Sequence, residues 1–157
     1  MSELNYPLLN SQLRALLQSE TDALASAANF VALINNAMTD INWTGIYVLR
    51  NDELVLGPFQ GKPACVHIDI GVGVCGTAAA TLQTQRIDDV HCFDGHITCD
   101  PDSRSELVVP LIVNGQLLGV LDIDSPSPGR FTPDDQAGIE KLCTTFCELQ
   151  QQRDAFI

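Results

Sequence analysis

The chain has 157 residues, long enough for one domain with a proper core and too short for two typical ones. Its apolar fraction of 45% and charged fraction of 18% are those of an ordinary globular protein. A formal net charge of −12, with eight basic residues that form no run, argues against a nucleic-acid partner, which needs clustered Lys and Arg. The opening residues lack the pattern of a signal peptide, and no window approaches the roughly 20 apolar residues of a membrane span. A cytoplasmic protein with no membrane partner is therefore expected. Structural disulfides are rare in that compartment, so six cysteines point to redox or metal chemistry.

The first forty residues read as two helices. Leu9, Leu13, Leu16 and Leu17 form one apolar stripe, and Ala23, Ala27, Phe30, Leu33 and Ile34 form a second. Ser19-Glu-Thr-Asp22 between them reads as a helix start with Ser19 as the cap and Asp22 in the reciprocal position. A meander of strands follows: 41–50, a turn at Asn51-Asp52, 53–60, a turn at Gly61-Lys-Pro63, and 64–70. Residues 76–83 form an alanine-rich helical patch, and 85–88 suit a short strand. From 88 to 104 the chain is polar and without period, a loop length that is usually functional or disordered. Asn114-Gly115 between the aliphatic runs 107–113 and 116–124 is a strong hairpin signal. After Ser125-Pro-Ser-Pro-Gly129 a last helix opens, with Thr132 as cap, Pro133 at its first position and acids in its first turn. Its stripe is Ile139, Leu142, Phe146 and Leu149. This order predicts an α+β fold, a central antiparallel sheet of about six strands flanked by N- and C-terminal helices.

Three cysteines sit in turn-rich surroundings: Cys65 after Gly57-Pro-Phe-Gln-Gly-Lys-Pro-Ala, Cys75 in Gly71-Val-Gly-Val-Cys-Gly76, and Cys99 in His96-Ile-Thr-Cys-Asp100. The glycine segment is a literal G-x-G-x-x-G, but its neighbouring strands are hairpin-linked, and the acids Asp88 and Asp89 fall too early, before any convincing second parallel strand. A dinucleotide site is therefore not expected. The glycines instead place Cys75 at a helix N-terminus, where the dipole is expected to stabilise its thiolate. His91 and His96 near Cys99 are candidates to lower its pKa as well. A zinc set of Cys92, Cys99, His91 and His96 with Cys65 or Cys75 fits poorly, since no two cysteines stand two residues apart and His91-Cys92 are adjacent. No metal is expected. Cys143 and Cys147 are four apart on the last helix and read as packing.

Asp122 and Asp124 share one face of the last strand, where two carboxylates near a core repel and raise a pKa. Trp43 and Tyr47 share a face of the first strand across Gly45, an aromatic wall for a small ligand or simple core packing.

At this point the motifs become specific. Asn42-Trp-Thr-Gly-Ile-Tyr47, Gly57-Pro-Phe-Gln-Gly-Lys62, Gly73-Val-Cys-Gly-Thr77, Phe93-Asp-Gly-His-Ile97, Cys99-Asp100, Ser105-Glu106 and Gly119-Val-Leu-Asp-Ile-Asp-Ser125 resemble the free methionine-(R)-sulfoxide reductases, which are GAF-domain enzymes. The resemblance implies one GAF-like domain over 1–157, no cofactor, free methionine-(R)-sulfoxide as substrate, thioredoxin as reductant and a homodimer. It implies that Cys99 attacks the sulfoxide sulfur and becomes a sulfenic acid, that Cys75 resolves it as a disulfide, and that Cys65 is a second resolving thiol. Glu106, Asp122 and Asp124 match the acidic substrate-site residues, and Trp43 and Tyr47 the aromatic wall. Cys92, Cys143 and Cys147 depart from the family pattern. The alternative is a non-catalytic GAF module sensing a small ligand, which would not need three cysteines at these spacings.

One geometric requirement follows. A two-residue Asn114-Gly115 turn pairs Val113 with Gln116, which places Glu106 opposite Ile123 and off the face of Asp122 and Asp124. For the three acids to share a pocket, a bulge must slip the register, and Pro110, which has no N–H to pair, marks the expected place.

Overall fold

The computed structural model describes residues 4–95 and 99–150. Two helices, α1 (Tyr6–Leu17) and α2 (Ala23–Ala37), lead into the strands β1 (Trp43–Arg50), β2 (Glu53–Gly61) and β3 (His67–Asp69). Helix α3 (Gly73–Thr81), strand β4 (Gln85–Ile87), a 3-10 turn (Val90–Cys92), the hairpin β5 (Ser105–Val113) and β6 (Gln116–Ser125), and helix α4 (Pro133–Gln150) complete the chain. The strands form one sheet in the order β3-β2-β1-β6-β5-β4, antiparallel at every pairing. The α+β expectation holds.

Local chemistry sets the helix ends. Asn5 caps α1 by accepting from the N–H of Leu8 at 3.0 Å. Helix α2 is capped by Asp22 and not by Ser19: the Asp22 carboxylate accepts from the N–H of Ala25 at 2.8 Å. An acid there satisfies an orphan N–H and meets the positive end of the dipole, so it outcompetes a serine three residues back. Helix α4 has the cap expected at Thr132 and makes it reciprocal: the Thr132 hydroxyl accepts from the N–H of Asp135 while Asp135 accepts from the N–H of Thr132, both at 3.0 Å.

The period of two divides the sheet into two faces with different jobs. Ile46 and Val48 of β1, Leu107, Val109 and Leu111 of β5, and Leu121 and Ile123 of β6 pack under α1, α2 and α4. Phe30 of α2 stacks on Phe146 of α4 there, with ring centroids 4.4 Å apart. The alternate positions, Trp43, Tyr47, Val108 and Val120, pack with α3 and β3 on the opposite face.

The hairpin carries the expected slip. Val113 pairs with Gln116 and Ile112 with Leu117, but Leu111 pairs with Gly119. Leu118 is the extra residue, so the bulge lies in β6, across from the stretch after Pro110 and not in β5 itself. Beyond it Glu106 pairs with Asp124 and Val108 with Asp122, which puts all three acids on the α3 side.

Candidate active site

On that face a cavity of about 570 Å³, its open mouth included, lies between the sheet, α3, the 62–64 segment and the 99–103 loop. The glycines of 71–76 shape its edge. Gly71 and Gly73 have φ of +89° and +69°, which other residues rarely adopt, and the carbonyl of Asp69 would stand 2.5 Å from a Cβ at Gly76. The turn brings α3 against the sheet with Cys75 in its first turn, as the glycine spacing predicts.

Trp43 and Tyr47 form one wall, stacked with centroids 5.8 Å apart. Phe59 of β2 extends it, 5.4 Å from Trp43. Both polar tips are tied to the segment bearing Cys65. The Trp43 indole N–H donates to the Lys62 carbonyl at 3.1 Å, and the Tyr47 hydroxyl donates to the Cys65 carbonyl at 2.8 Å. Gly45 makes room for the indole: a Cβ there would collide with the Trp43 ring and lie 2.6 Å from Phe59 Cβ.

The floor is acidic. Glu106 and Asp122 are buried, Asp124 is half-buried, and Cys75 is buried beside them, its Sγ 3.9 Å from Glu106 Oε1. Burial pushes the Glu106 and Asp124 carboxyls well above the usual range, and the charge of Asp122 pushes them further. Burial also raises Asp122, to about 6, while hydrogen bonds from Glu106, Cys75 and Asp124 hold it down. Asp122 is thus the most readily ionised of the three, and its two neighbours keep their protons as donors toward it. Its Oδ1 is buried without a hydrogen-bond partner.

Cys75 does not follow the dipole argument. Burial, and then the negative charge of Asp122, lift its thiol well above the ordinary value. A helix N-terminus offers roughly 0.3–1 kcal/mol, a smaller effect than desolvating a thiolate among carboxylates.

At the mouth, Cys65 and Cys99 are joined by a disulfide, with Cα atoms 5.6 Å apart, whereas Cys75 is a free thiol. The bridge thus uses the thiol expected to stand in reserve. The loop around Cys99 is held by residues that the sequence reading had not given a role. The Asn42 side chain donates to Asp100 at 3.3 Å and to Ser103 at 3.2 Å, and Lys62 pairs with Asp102 at 2.9 Å. Their signal was present, since Asn42, Lys62 and Asp100 all fall inside quoted motifs, but nothing in a motif says which cavity wall a residue joins.

The cysteines and histidines of the zinc set do not converge among the described residues. Cys65 and Cys99 are bonded to each other, His91 and Cys92 are exposed on the 3-10 turn, and His96 lies outside the described residues. The donor atoms that do converge are on Cys75, Glu106 and Asp122, within 4.8 Å of one another. Cys143 and Cys147 are buried on the inner face of α4, as packing residues should be.

The GAF domain family model matches residues 12–147. The free methionine-R-sulfoxide reductase of Escherichia coli is 58% identical over 137 residues, 87% of this chain and 83% of that protein. This chain belongs to the free methionine-R-sulfoxide reductases of the GAF family. Two solved reductases bear on the cavity. The fRMsr of Staphylococcus aureus in complex with substrate superposes with a TM-score of 0.90 at 45% identity, covering 95% of this chain and 97% of its own. The reductase of Neisseria meningitidis in complex with its substrate gives 0.88 at 38%, covering 92% and 87%. Among the described residues no helix is long and apolar enough to cross a membrane.

Proposed function

We propose that this protein reduces free methionine-(R)-sulfoxide to methionine, as one GAF-like domain over 1–157 that works in the cytoplasm as a homodimer with thioredoxin as reductant. The observation that carries the reading is the Cys65–Cys99 disulfide at the mouth of a cavity lined by Glu106, Asp122 and Asp124. The relatives' activity and the motif resemblance supply the substrate, and the resemblance supplies thioredoxin and the dimer.

The chemistry runs from the residues. Trp43 and Tyr47 offer an apolar wall to the S-methyl end, and the acids suit the substrate's ammonium. Cys99 attacks the sulfoxide sulfur while a neutral carboxyl, Glu106 or Asp124, protonates the oxygen. Unprotonated, that oxygen is a poor leaving group. Oxygen passes to Cys99, methionine leaves two electrons richer, and Cys99 is a sulfenic acid. A second thiol condenses with it and releases water, which gives a disulfide. The bridge in the structure supports Cys65 as that thiol, with Cys75 the alternative, hydrogen-bonded to Glu106. An external dithiol returns the two electrons.

Single turnover tests this. The reduced protein is mixed with methionine-(R)-sulfoxide, methionine is counted, and the disulfide is mapped by mass spectrometry. Cys75→Ser should release about one methionine per chain, and Cys99→Ser none. A burst from Cys99→Ser overturns the attacker. Substrate binding without any methionine from the unaltered protein, even with dithiothreitol, would leave the sensor module.

A further inference from the structure

Three donor atoms from three elements meet at the cavity floor. Cys75 comes from the first turn of α3, Glu106 from β5 and Asp122 from β6. One ligand atom from each lies within 4.8 Å of the other two, and all three residues are buried. The sheet register fixes the two acids, since Asp122 pairs with Val108, two residues along β5 from Glu106. The glycine turn at 71–76 fixes the third donor against them.

The group is rich in acid and short of positive charge. Among the described residues lining the cavity the one cation is Lys62, at the mouth, where its exposed side chain is paired with Asp102. Asp122 is 5% exposed, it lines the cavity, and its Oδ1 has no hydrogen-bond partner. A buried acceptor without a donor is costly, and a cation relieves both that cost and the repulsion among the acids.

The donor types select among cations. Mg2+ and Ca2+ take oxygen ligands, so the thiolate gives them nothing. Zinc accepts sulfur at about 2.3 Å and carboxylate oxygen at about 2.0–2.2 Å, which sets neighbouring donors roughly 3.3–3.8 Å apart in a tetrahedron. Cys75 Sγ and Glu106 Oε1 already stand at 3.9 Å, so small side-chain rotations close the set. Three protein ligands leave the fourth position for a water from the cavity.

We propose that Cys75, Glu106 and Asp122 form a binding site for a divalent cation of zinc's softness, and that the bound ion inhibits the reductase. The ion takes the place of the protons on Cys75 and Glu106, which pass to solvent. It thereby removes a carboxyl that protonates the sulfoxide oxygen, and it puts positive charge where the substrate's ammonium would sit. The binding is independent of the reductase reading, and the inhibition rests on it.

Binding is measured on the protein with the Cys65–Cys99 bridge intact, which takes those sulfurs out of the count while Cys75 stays free. Zn2+ is titrated by calorimetry and Cd2+ by its thiolate charge-transfer absorption, without dithiothreitol, which would itself take the metal. The unaltered protein should bind one ion per chain through one thiolate, and Mg2+ should not compete. Cys75→Ser should lose the absorption and weaken binding about a hundredfold or more, since even a group behind a ligand is worth about 10–100-fold. Glu106→Gln and Asp122→Asn should each weaken it about tenfold or more. Replacing Cys143 and Cys147 together by Ser, which removes the other buried thiols, should leave it unchanged.

Inhibition is read from single-turnover methionine release by the reduced, desalted Cys65→Ser protein, in which Cys99 has lost its neighbouring thiol. Zn2+ should slow that release about tenfold or more, and adding Cys75→Ser should bring the rates with and without zinc to within about twofold. No ion on the unaltered protein, or an absorption that survives Cys75→Ser, overturns the site. Tight binding that leaves methionine release unslowed overturns the inhibition. No methionine in the absence of zinc, from Cys65→Ser and from the unaltered protein alike, removes the reductase reading and leaves the binding result to stand or fall by itself.

Discussion

Replacing Asp122 by Asn should make the protein more stable at neutral pH and nearly inactive. Burial holds the Asp122 pKa at about 6, against an ordinary 3.8. Between those values the unfolded chain gives up a proton that the folded chain keeps, so the wild type loses stability as pH rises from about 3.8 to about 6. A shift of about two units at 1.36 kcal/mol each is about 3 kcal/mol. Asn keeps the shape without the charge, and it also relieves Glu106 and Asp124, whose pKa values Asp122 raises. The variant should therefore match the wild type near pH 3.5 and exceed it by about 3 kcal/mol above pH 6, which is about 6–12 °C in Tm for a domain of this size. Urea unfolding at pH 3.5, 5 and 7.5 measures it, with methionine release followed in parallel. A gain of equal size at all three pH values, or none at pH 7.5, refutes the assignment of Asp122 as the strained, ionised member of the cluster.

Glu106→Gln removes a proton donor whose carboxyl stays neutral well above the usual carboxylate range, and kcat for methionine release should fall about a hundredfold or more. In the unaltered protein the same rate should decline on the alkaline side, where that proton is lost. Gly45→Ala puts a methyl 2.6 Å from Phe59 Cβ, so the indole must move. Overpacking should cost about 1–3 kcal/mol by chemical denaturation, and the displaced wall should raise KM. Phe30→Ala opens the α2–α4 stack on the far face of the sheet, which should cost about 3–5 kcal/mol while activity per folded molecule holds.

Much of this arrangement is legible in the chain, because periodicity is. Alternation along 43–48, 106–111 and 120–124 sorts each strand into a helix-covered face and a site face, and the helical stripes say which face is covered. The register slip was legible by contradiction, since a two-residue turn and a shared acid face cannot both hold without an extra residue. Its position was not. Leu118 precedes Gly119, where a Cβ would come within 3.1 Å of the Val48 backbone, so β6 is pressed against β1 at the point of the bulge. That pressure comes from a strand some 70 residues earlier, and no local pattern encodes it. The acidity of Cys75 failed for the same reason. Its helix start is written in neighbouring glycines, but the burial and the Asp122 charge that overrule the dipole arrive with the sheet, from β5 and β6.

Burial also bears on which thiol closes the catalytic disulfide. Cys75 is 5% exposed beneath the substrate cavity and donates toward Glu106. Cys65 is half-buried at the mouth, its carbonyl held by Tyr47 and its sulfur bonded to Cys99. A protein dithiol must bring its own thiolate in line with a disulfide sulfur, which a bridge at the mouth permits and one on the cavity floor resists. Small thiols are under no such restriction. Cys65→Ser should therefore lose most of its turnover with thioredoxin while keeping a larger share of its turnover with dithiothreitol, through a Cys75–Cys99 bridge or an unbridged sulfenic acid. Cys75→Ser should keep both to within a few-fold. The ratio of the two rates, taken at equal protein concentration, separates the alternatives. If Cys65→Ser keeps its thioredoxin rate and Cys75→Ser loses it, Cys75 is the first resolving thiol, and the loop around Cys99 must move inward to meet it during turnover.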